Sequence, residues 1–332
     1  MSPSAVPHKP RVFCLYPIDD SVREYAEQHF DFTCEPDPKV KSWREEAEAV
    51  MVRSNTITPS DVKVLGPAFK FVGKHGVGVD AIAVKELKER GITVMNTPGV
   101  NASAVAELAL TMSLCLARDV AQIDRRIRSG ETVTKAEGGL TGFQLTGKTL
   151  GLVGGGNIGY QLGKMFHGAF GAKVVVYDPH LHPSMVQKWS DLLSSSHFTR
   201  VGTLGKMLEV SDVVSIHVPL LESTRNLIGE DELRKMKKSA LLINTARGGI
   251  VNEEALLRAL EEGWITGAGI DAFSIEPPTS KDFGRLISHP RVLSTPHIGA
   301  ASLDVIRITA LAVIDHLVEA FRGEQLRDVV SV

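Results

Sequence analysis

A glycine-rich turn between a strand-like and a helix-like segment is the feature that most limits how this chain can fold. The apolar run TLGLV leads into Gly154, Gly156 and Gly159, which have GxGxxG spacing, and a helical pattern begins at Asn157. The first glycine permits a tight turn, the second lets the backbone approach a pyrophosphate, and the third lets the helix pack closely. Unpaired N–H groups at the helix start can hold the phosphates. The pattern predicts a dinucleotide-binding unit; the alternative is a glycine turn that binds no ligand.

An acidic residue follows the next strand-like run. The segment KVVVY leads into Asp178, nineteen positions after Gly159. A carboxylate there would accept hydrogen bonds from the adenosine ribose and repel a 2′-phosphate, which favours NAD over NADP. His180 and His182 lie close enough to weaken that preference at low pH.

Short apolar runs alternate with amphipathic segments along most of the chain. The runs are RVFCLY, AVMVR, FKFVG and ITVMN before residue 100, and TLGLV, KVVVY, VVSIHV, ALLIN, GAGI and RVLS after residue 148. The alternation predicts an α/β protein with parallel sheets, the second of about six strands. A long apolar helical segment, Asn101–Arg118, separates the two series, and we expect the chain to cross between domains there. Leu181–Arg200, which contains a serine run, is predicted to be a solvated surface loop.

The composition excludes several classes of protein. A net charge of −2 over 332 residues gives no field that would attract nucleic acid or an anionic membrane. Cys14, Cys34 and Cys115 are widely separated and form no CxxC pair, so we expect neither disulfides nor a metal site. The proline-rich first ten residues lack the apolar core of a secretory signal, and no run is long enough to span a bilayer. We therefore expect a cytoplasmic protein whose partners are small molecules.

Three residues that follow strands of the second series could carry acid–base chemistry. Arg247 in NTARGG could hold a carboxylate with its planar guanidinium, and His297 in TPHIGA could transfer a proton near neutral pH. Glu276 in DAFSIEPP could fix the imidazole tautomer and raise the pKa of His297. Reduction of a 2-keto acid needs such a cation and proton donor beside a hydride source. Taken singly, the alternatives are a surface ion-pair arginine and a structural histidine.

Five ordered motifs resemble the D-2-hydroxyacid dehydrogenase family over the whole chain: VGGGNIG, YDP, NTARGGIVNEEAL, DAFSIEPP and TPHIGA. The resemblance implies that Arg247, Glu276 and His297 are the catalytic residues. It also implies two Rossmann-like doubly wound domains, of which a discontinuous, flavodoxin-like substrate domain comprises residues 1–105 and 299–332. The NAD-binding domain would comprise residues 106–298. The residues placed at the cofactor are Gly154, Gly156, Asn157, Ile158, Gly159, Asp178, Val218, Thr245, Ala246, Asp271 and Gly299.

The N-terminal motifs AVMVRSNT, FVGKHGVGVD and VMNTPGVNA are similar to the 3-phosphoglycerate dehydrogenase branch of that family. This similarity implies that Arg53 and Lys74 lie near a substrate phosphate. The backbone around His75, Gly76 and Val77 would hold the substrate carboxylate together with Arg247. The alternative for Arg53 and Lys74 is ordinary solvated charge.

The chain also departs from that branch. The family often has serine or threonine at the position of Ala104, and phosphoglycerate dehydrogenases tend to have threonine at Val77 and Val218. The chain stops at Val332, without the C-terminal regulatory domain of longer members, so serine feedback through such a domain is not expected. These departures weaken the assignment to phosphoglycerate more than the assignment to the reaction.

The combined prediction is an NAD-dependent oxidoreductase acting on the CH–OH group of a donor. It is a D-2-hydroxyacid dehydrogenase or 2-keto acid reductase whose small substrate resembles phosphoglycerate or hydroxypyruvate. One alternative is an NAD(H)-sensing binding protein or corepressor on the same fold, which would bind NADH without turnover. Oxidation of formate or phosphite is another. Because Asn101–Arg118 is apolar on more than one face, it indicates a homodimer, with interior burial as the alternative.

Overall fold

The computed structural model describes residues 8–331, except for the side chain of Leu140. Internal contacts divide the chain into two units, one running up to Asn101 and resuming at Ser302, the other running from Ala102 to Ala301. The predicted boundaries were 105/106 and 298/299. They differ because the helix that begins at Ala102 contacts chiefly a helix and two strands of the second unit, and because the backbone at Gly299 is bonded to that unit's Asp271.

The first unit contains a five-stranded sheet in the order β2-β1-β3-β4-β5, and all four strand pairs are parallel. This is the flavodoxin-like order. The sequence patterns missed the edge strand β2. The strands are β1 (Arg11–Cys14), β2 (Asp31–Cys34), β3 (Ala49–Val52), β4 (Phe71–Lys74) and β5 (Thr93–Met95); the helices are α1 (Asp20–His29), α2 (Trp43–Glu46), α3 (Pro59–Val64), α4 (Val84–Glu89) and the C-terminal helix Leu303–Phe321, with a 3₁₀ turn at Pro38–Ser42.

The C-terminal helix completes the core of the first unit. Its buried residues Val313, Ile314 and Leu317 belong to the cluster that covers one face of the sheet. The helix comes so close that a Cβ atom on Gly73 of β4 would lie 2.5 Å from Cγ1 of Val313. The two ends of the chain therefore form one folded unit.

The second unit contains seven parallel strands in the order β12-β11-β10-β9-β6-β7-β8. Counted from β6, the first six strands have the order of a dinucleotide-binding sheet, with β12 added at one edge. The predicted fold class is confirmed. The strands are β6 (Thr149–Val153), β7 (Lys173–Tyr177), β8 (Phe198–Arg200), β9 (Val213–Ile216), β10 (Leu241–Asn244), β11 (Gly267–Ile270) and β12 (Val292–Ser294).

Helices cover the second sheet and occupy most of its connections. Helix α5 packs chiefly on α8, and the two share a buried cluster with β6 and β10. A 3₁₀ turn spans Glu222–Thr224. The helices are α5 (Ala102–Ala117), α6 (Val120–Arg128), α7 (Lys135–Thr141), α8 (Asn157–Phe170), α9 (Pro183–Leu192), α10 (Leu204–Val210), α11 (Glu230–Lys235), α12 (Glu253–Glu261) and α13 (Ser280–Ser288). Across residues 8–331, no helix combines the length and the apolar character needed to cross a membrane.

The prediction of a solvated loop at Leu181–Arg200 is wrong. The segment contains α9, which begins at Pro183 after an N-cap at His182, and the edge strand β8. Trp189 is fully buried, donates Nε1–H to the carbonyl of Gly155 at 2.9 Å, and stacks on Phe198. Trp189 is the helix's single buried residue, and Met185, Val186 and Leu192 pack partly buried against the same core. Strand β8 is the seventh strand of the second sheet, for which the sequence patterns predicted about six.

Candidate active site

The predicted cofactor and catalytic residues collect along one edge of the second sheet. All of its strands are parallel, so the residues that follow β6, β7, β9, β10, β11 and β12 emerge at the same carboxyl end. The strand order reverses between β6 and β9, and ligands of such sheets bind at this kind of crevice. Among the described residues, no group of three His, Cys, Asp or Glu side chains is arranged to hold a metal ion.

The glycine turn has the geometry that its sequence predicts. Gly154 has φ +99°, and a Cβ there would lie 2.6 Å from the carbonyl oxygen of His217. A Cβ on Gly159 would lie 2.3 Å from the carbonyl oxygen of Gly154, so the helix packs directly on the turn. Gly156, in contrast, has no atom within 4 Å of that position and caps α8 without a side-chain hydrogen bond. The open space and the N–H groups starting at Asn157 and Ile158 suit a pyrophosphate.

Asp178 links this turn to the end of β7. Its Oδ2 accepts a hydrogen bond from the N–H of Gly155 and its Oδ1 accepts one from the N–H of His180, both at 2.9 Å. Arg200 on neighbouring β8 donates from Nη2 to the backbone carbonyl of Asp178 at 2.7 Å. The carboxylate is thereby fixed at the place where an adenosine ribose is expected.

Two buried polar atoms near the glycine turn have no hydrogen-bond partner within the described chain: Oγ1 of Thr245 and Nδ1 of His217. They follow β10 and β9. Burial lowers the pKa of His217 to about 3, so its ring is neutral. Because buried polar groups are normally paired, these atoms, the opening at Gly156 and the carboxylate of Asp178 fit a bound dinucleotide. The neighbouring predicted contacts, Val218 and Ala246, lie on the same edge.

Asn244 organises the turn that carries Arg247. It is buried at the end of β10, donates from Nδ2 to the carbonyl of Arg247 at 2.9 Å, and accepts at Oδ1 from the N–H of Ala246 at 3.1 Å. Gly248 comes next, where a Cβ would lie 2.0 Å from the backbone of Phe273. The sequence reasoning assigned no role to Asn244, although a polar residue that ends a fully buried strand was a usable signal.

His297 and Glu276 form a bonded pair. Nδ1 of His297 lies 3.0 Å from both carboxylate oxygens of Glu276, and each side chain is 37% exposed. The hydrogen bond to Glu276 raises the pKa of His297 above its usual 6.5 and outweighs both partial burial and the positive charge of Arg247. Burial would raise the pKa of Glu276, but the hydrogen bond and charge of His297 bring it below its usual value. Arg247 contributes to both shifts, so its guanidinium lies near the pair.

Asp271 holds the loop that presents His297. The residue is fully buried, and its carboxylate accepts from Oγ1 of Thr295 at 2.6 Å and from the N–H groups of Ile298 and Gly299 at 2.7 and 2.9 Å. Its backbone carbonyl accepts from the N–H of His297 at 2.8 Å. Asp271 is fully buried in this structure, and its predicted contact with the cofactor stays a prediction. The predicted cofactor contact of Gly299 likewise stays a prediction; its N–H is bonded to Asp271.

The first unit places the predicted substrate residues in a small cluster of its own. Lys74 is buried, and its Nζ donates to the carbonyl oxygens of Arg53 and His75, both at 2.7 Å. The hydroxyl of Tyr16, which the sequence reasoning missed, lies 3.1 Å from Nδ1 of His75. Burial, followed by the charges of Arg53 and Lys74, lowers the pKa of His75 to about 3. This imidazole is therefore a neutral hydrogen-bonding group.

Two of the three backbone N–H groups predicted to bind the substrate carboxylate already donate to acceptors within the protein. The N–H of His75 donates to the carbonyl of Val52, and the N–H of Gly76 donates to Oγ1 of Thr97, both at 2.8 Å. Of the three predicted carboxylate-binding positions, Val77 alone has an N–H without a partner in the described part of the chain, and its residue is 43% exposed.

Known proteins share this fold and sequence. A family model described as "D-isomer specific 2-hydroxyacid dehydrogenase, NAD binding domain" matches residues 110–299. The hydroxypyruvate reductase of Thermotoga maritima is 39% identical over 272 residues, which are 82% of this chain and 84% of that protein. The D-3-phosphoglycerate dehydrogenase of Methanocaldococcus jannaschii is 34% identical over 287 residues, which are 86% of this chain and 52% of that protein. The crystal structure of apo D-mandelate dehydrogenase from Rhodotorula graminis matches with a TM-score of 0.85 at 26% identity, covering 98% of each chain.

The fold, the site and these matches define an NAD-dependent oxidoreductase that acts on a CH–OH group. The chain belongs to the D-2-hydroxyacid dehydrogenase family. The predicted family, reaction class and cofactor are confirmed. The roles of individual side chains stay predictions.

Proposed function

We propose that this enzyme reduces a small, unphosphorylated 2-keto acid of the hydroxypyruvate or glyoxylate kind, with Arg247, Glu276 and His297 as its catalytic residues. The observation that carries this proposal is the bonded His297–Glu276 pair beside Arg247, at the carboxyl edge that also holds the glycine turn. Relatives named hydroxypyruvate reductase and glyoxylate reductase support the substrate class.

Each catalytic side chain has a distinct task in the proposed mechanism. Arg247 holds the substrate carboxylate and polarises the ketone, because a guanidinium can donate two parallel hydrogen bonds to a carboxylate. Bound NADH supplies the hydride for the alpha carbon. Protonated His297 gives its proton to the substrate oxygen, which becomes the hydroxyl. Glu276 keeps Nδ1 of His297 occupied and so directs the other ring nitrogen to the reaction.

The direction of the pKa shift has a functional consequence. A raised pKa keeps His297 protonated to a higher pH than an ordinary histidine. Reduction therefore persists above pH 6.5 and falls as the pH rises through the raised pKa, whereas oxidation, which needs neutral His297 as a base, increases over the same range.

The first unit favours an unphosphorylated substrate. Lys74 already donates to two backbone carbonyls, and His75 is neutral, so of these three residues Arg53 is the charge best placed for a substrate anion. A phosphate at pH 7 carries more than one negative charge and is better matched by several cations. Phosphohydroxypyruvate is the second candidate, because relatives named D-3-phosphoglycerate dehydrogenase align with this region.

A kinetic comparison tests both parts of the proposal. NADH oxidation would be followed with hydroxypyruvate, glyoxylate and phosphohydroxypyruvate, for the parent and for His297→Ala, with His8→Ala as a control because His8 is 75% exposed. We expect the parent to prefer the unphosphorylated acids and His297→Ala to lose about 10²–10⁴-fold in kcat. Near-parental kcat in His297→Ala would exclude the proton-transfer role. A higher kcat/KM for phosphohydroxypyruvate would exclude the substrate assignment.

We also propose that the enzyme is a homodimer. The apolar side chains of α5 are largely buried within the second unit, so interior burial accounts for most of that helix. Helix α6, however, has no buried residue, and Val120 and Ile127 are 51% and 56% exposed. An exposed apolar face of this kind suits a second copy of the chain. Light scattering should give twice the monomer mass for the parent and a lower mass for Ile127→Asp.

We propose a cytoplasmic location for the enzyme. Cys14, Cys34 and Cys115 are all free thiols, and two of them are buried, which suits a reducing compartment. Fractionation of cells expressing the chain should recover it with cytoplasmic markers.

A further inference from the structure

We propose that Arg200 is a specificity determinant for the cofactor and allows the site to accept the 2′-phosphate of NADP(H) as well as the free ribose of NAD(H). The proposal rests on the cofactor site described above and concerns one charge at its adenosine end. Asp178 alone would make the site selective for NAD. Arg200 places an opposite charge beside it.

The backbone fixes where the guanidinium lies. Arg200 is the last residue of β8 and pairs in register with Val176 of β7, two positions before Asp178. Its Nη2 reaches past the end of β7 and donates to the carbonyl of Asp178 at 2.7 Å. This end of β7 is the region where the two ribose hydroxyls of the adenosine are expected. Arg200 is exposed, so a ligand can reach it.

The guanidinium keeps capacity for a ligand. Arginine has five N–H donors, and the bond to Asp178 uses one of them. Asp178 accepts hydrogen bonds from the N–H groups of Gly155 and His180, which hold its carboxylate at this end of β7. The repulsion from Asp178 and the attraction from Arg200 therefore act on the same phosphate. The site therefore discriminates against NADP(H) less strongly than a site with Asp178 and no Arg200.

Two fragments without nicotinamide test this idea by binding alone. ADP-ribose and 2′-phospho-ADP-ribose would be titrated at pH 8. The fluorescence of Trp189 can report binding, because its Nε1–H donates to the glycine turn at Gly155. The variants are Arg200→Gln, Arg200→Lys and, as a matched control, Arg285→Gln, since Arg285 is 76% exposed in the same unit.

Wild-type protein should bind both fragments. Arg200→Gln should weaken 2′-phospho-ADP-ribose by about tenfold or more while changing ADP-ribose by less than about twofold, which corresponds to the loss of a charge-assisted hydrogen bond. Arg200→Lys should retain part of the affinity, and Arg285→Gln should behave as wild type. The kcat/KM ratio of NADPH to NADH should fall in parallel for Arg200→Gln.

Three results would overturn the proposal. Wild-type protein could bind ADP-ribose and reject the 2′-phosphorylated fragment, or Arg200→Gln could leave the ratio of the two affinities unchanged. Either outcome removes the role of Arg200 and leaves the NAD site intact. Failure of both fragments to bind wild-type protein would refute the cofactor site at Asp178, and the role of Arg200 with it.

Discussion

Replacing Asp271 by asparagine tests how the loop of His297 is held. The carboxylate accepts three hydrogen bonds, from Thr295, Ile298 and Gly299, and the residue is fully buried. Asparagine has the same shape but one acceptor oxygen and one NH₂ group. If its oxygen takes the place of Oδ1, it keeps the bonds from Thr295 and Ile298. Its NH₂ group then faces the N–H of Gly299, and both donors are left without acceptors.

The cost follows from this count of bonds. A buried donor left unsatisfied costs about 1–3 kcal/mol, and charge-assisted hydrogen bonds are about twice as strong as neutral ones. Removing a buried charge recovers part of that loss. We expect Asp271→Asn to lower the free energy of unfolding by about 2–3 kcal/mol. For a unit of this size, that loss lowers Tm by about 4–12 °C.

Thermal unfolding can be followed by intrinsic fluorescence, to which Trp189, buried in the core of the second unit, contributes. Asp282→Asn is the control, since Asp282 is exposed and accepts one bond, from Thr279. We also expect kcat to fall well below the parental value at 25 °C, because the carboxylate of Asp271 holds Thr295, Ile298 and Gly299, which flank His297. A Tm within about 1 °C of the control would refute the assignment of these bonds as the support of the loop.

Three other changes have defined outcomes. Glu276→Gln should lower the pKa of His297, because the hydrogen bond to the carboxylate is the main cause that raises it, and should move the alkaline limb of the reduction profile to lower pH; an unmoved limb would contradict the pairing. Gly156→Ala should fold with a parental Tm but bind NADH weakly, whereas Gly159→Ala should also lose stability, since its Cβ meets backbone at 2.3 Å; equal Tm values would contradict this contrast. Lys74→Met should lower Tm, because Nζ donates to the carbonyls of Arg53 and His75, and should raise KM, because these residues are predicted to bind the substrate. An unchanged KM would show that this cluster does not contribute to substrate binding.

Sequence reasoning located the second unit well because its signals are local. The spacing of Gly154, Gly156 and Gly159 reflects contacts within one turn, and the structure gives each glycine the environment expected of it. Arg247, Glu276 and His297 could be placed on one edge because parallel strands align their carboxyl ends. That inference required only that the strands be parallel, and no knowledge of side-chain conformation.

Features that depend on packing could not be predicted in this way. Helix α9 has one buried residue, Trp189, and its burial depends on a contact with Gly155, 34 positions earlier in the chain. Asp271 follows a strand and is predicted to contact the cofactor; its burial and its three bonds to the loop of His297 could not be predicted from the sequence. Lys74 appears in sequence as one more cation near the substrate, whereas its Nζ is directed at two backbone carbonyls.

The return of the chain to its first unit has a consequence for synthesis on the ribosome. One face of the first sheet is covered by Val313, Ile314 and Leu317 of the C-terminal helix, which is made about 200 residues after β5. The intervening unit has its own cores and can fold while it emerges. Until the C-terminal helix has emerged, the nascent N-terminal sheet lacks the cover of these side chains, and its apolar residues stay exposed to water or to other proteins.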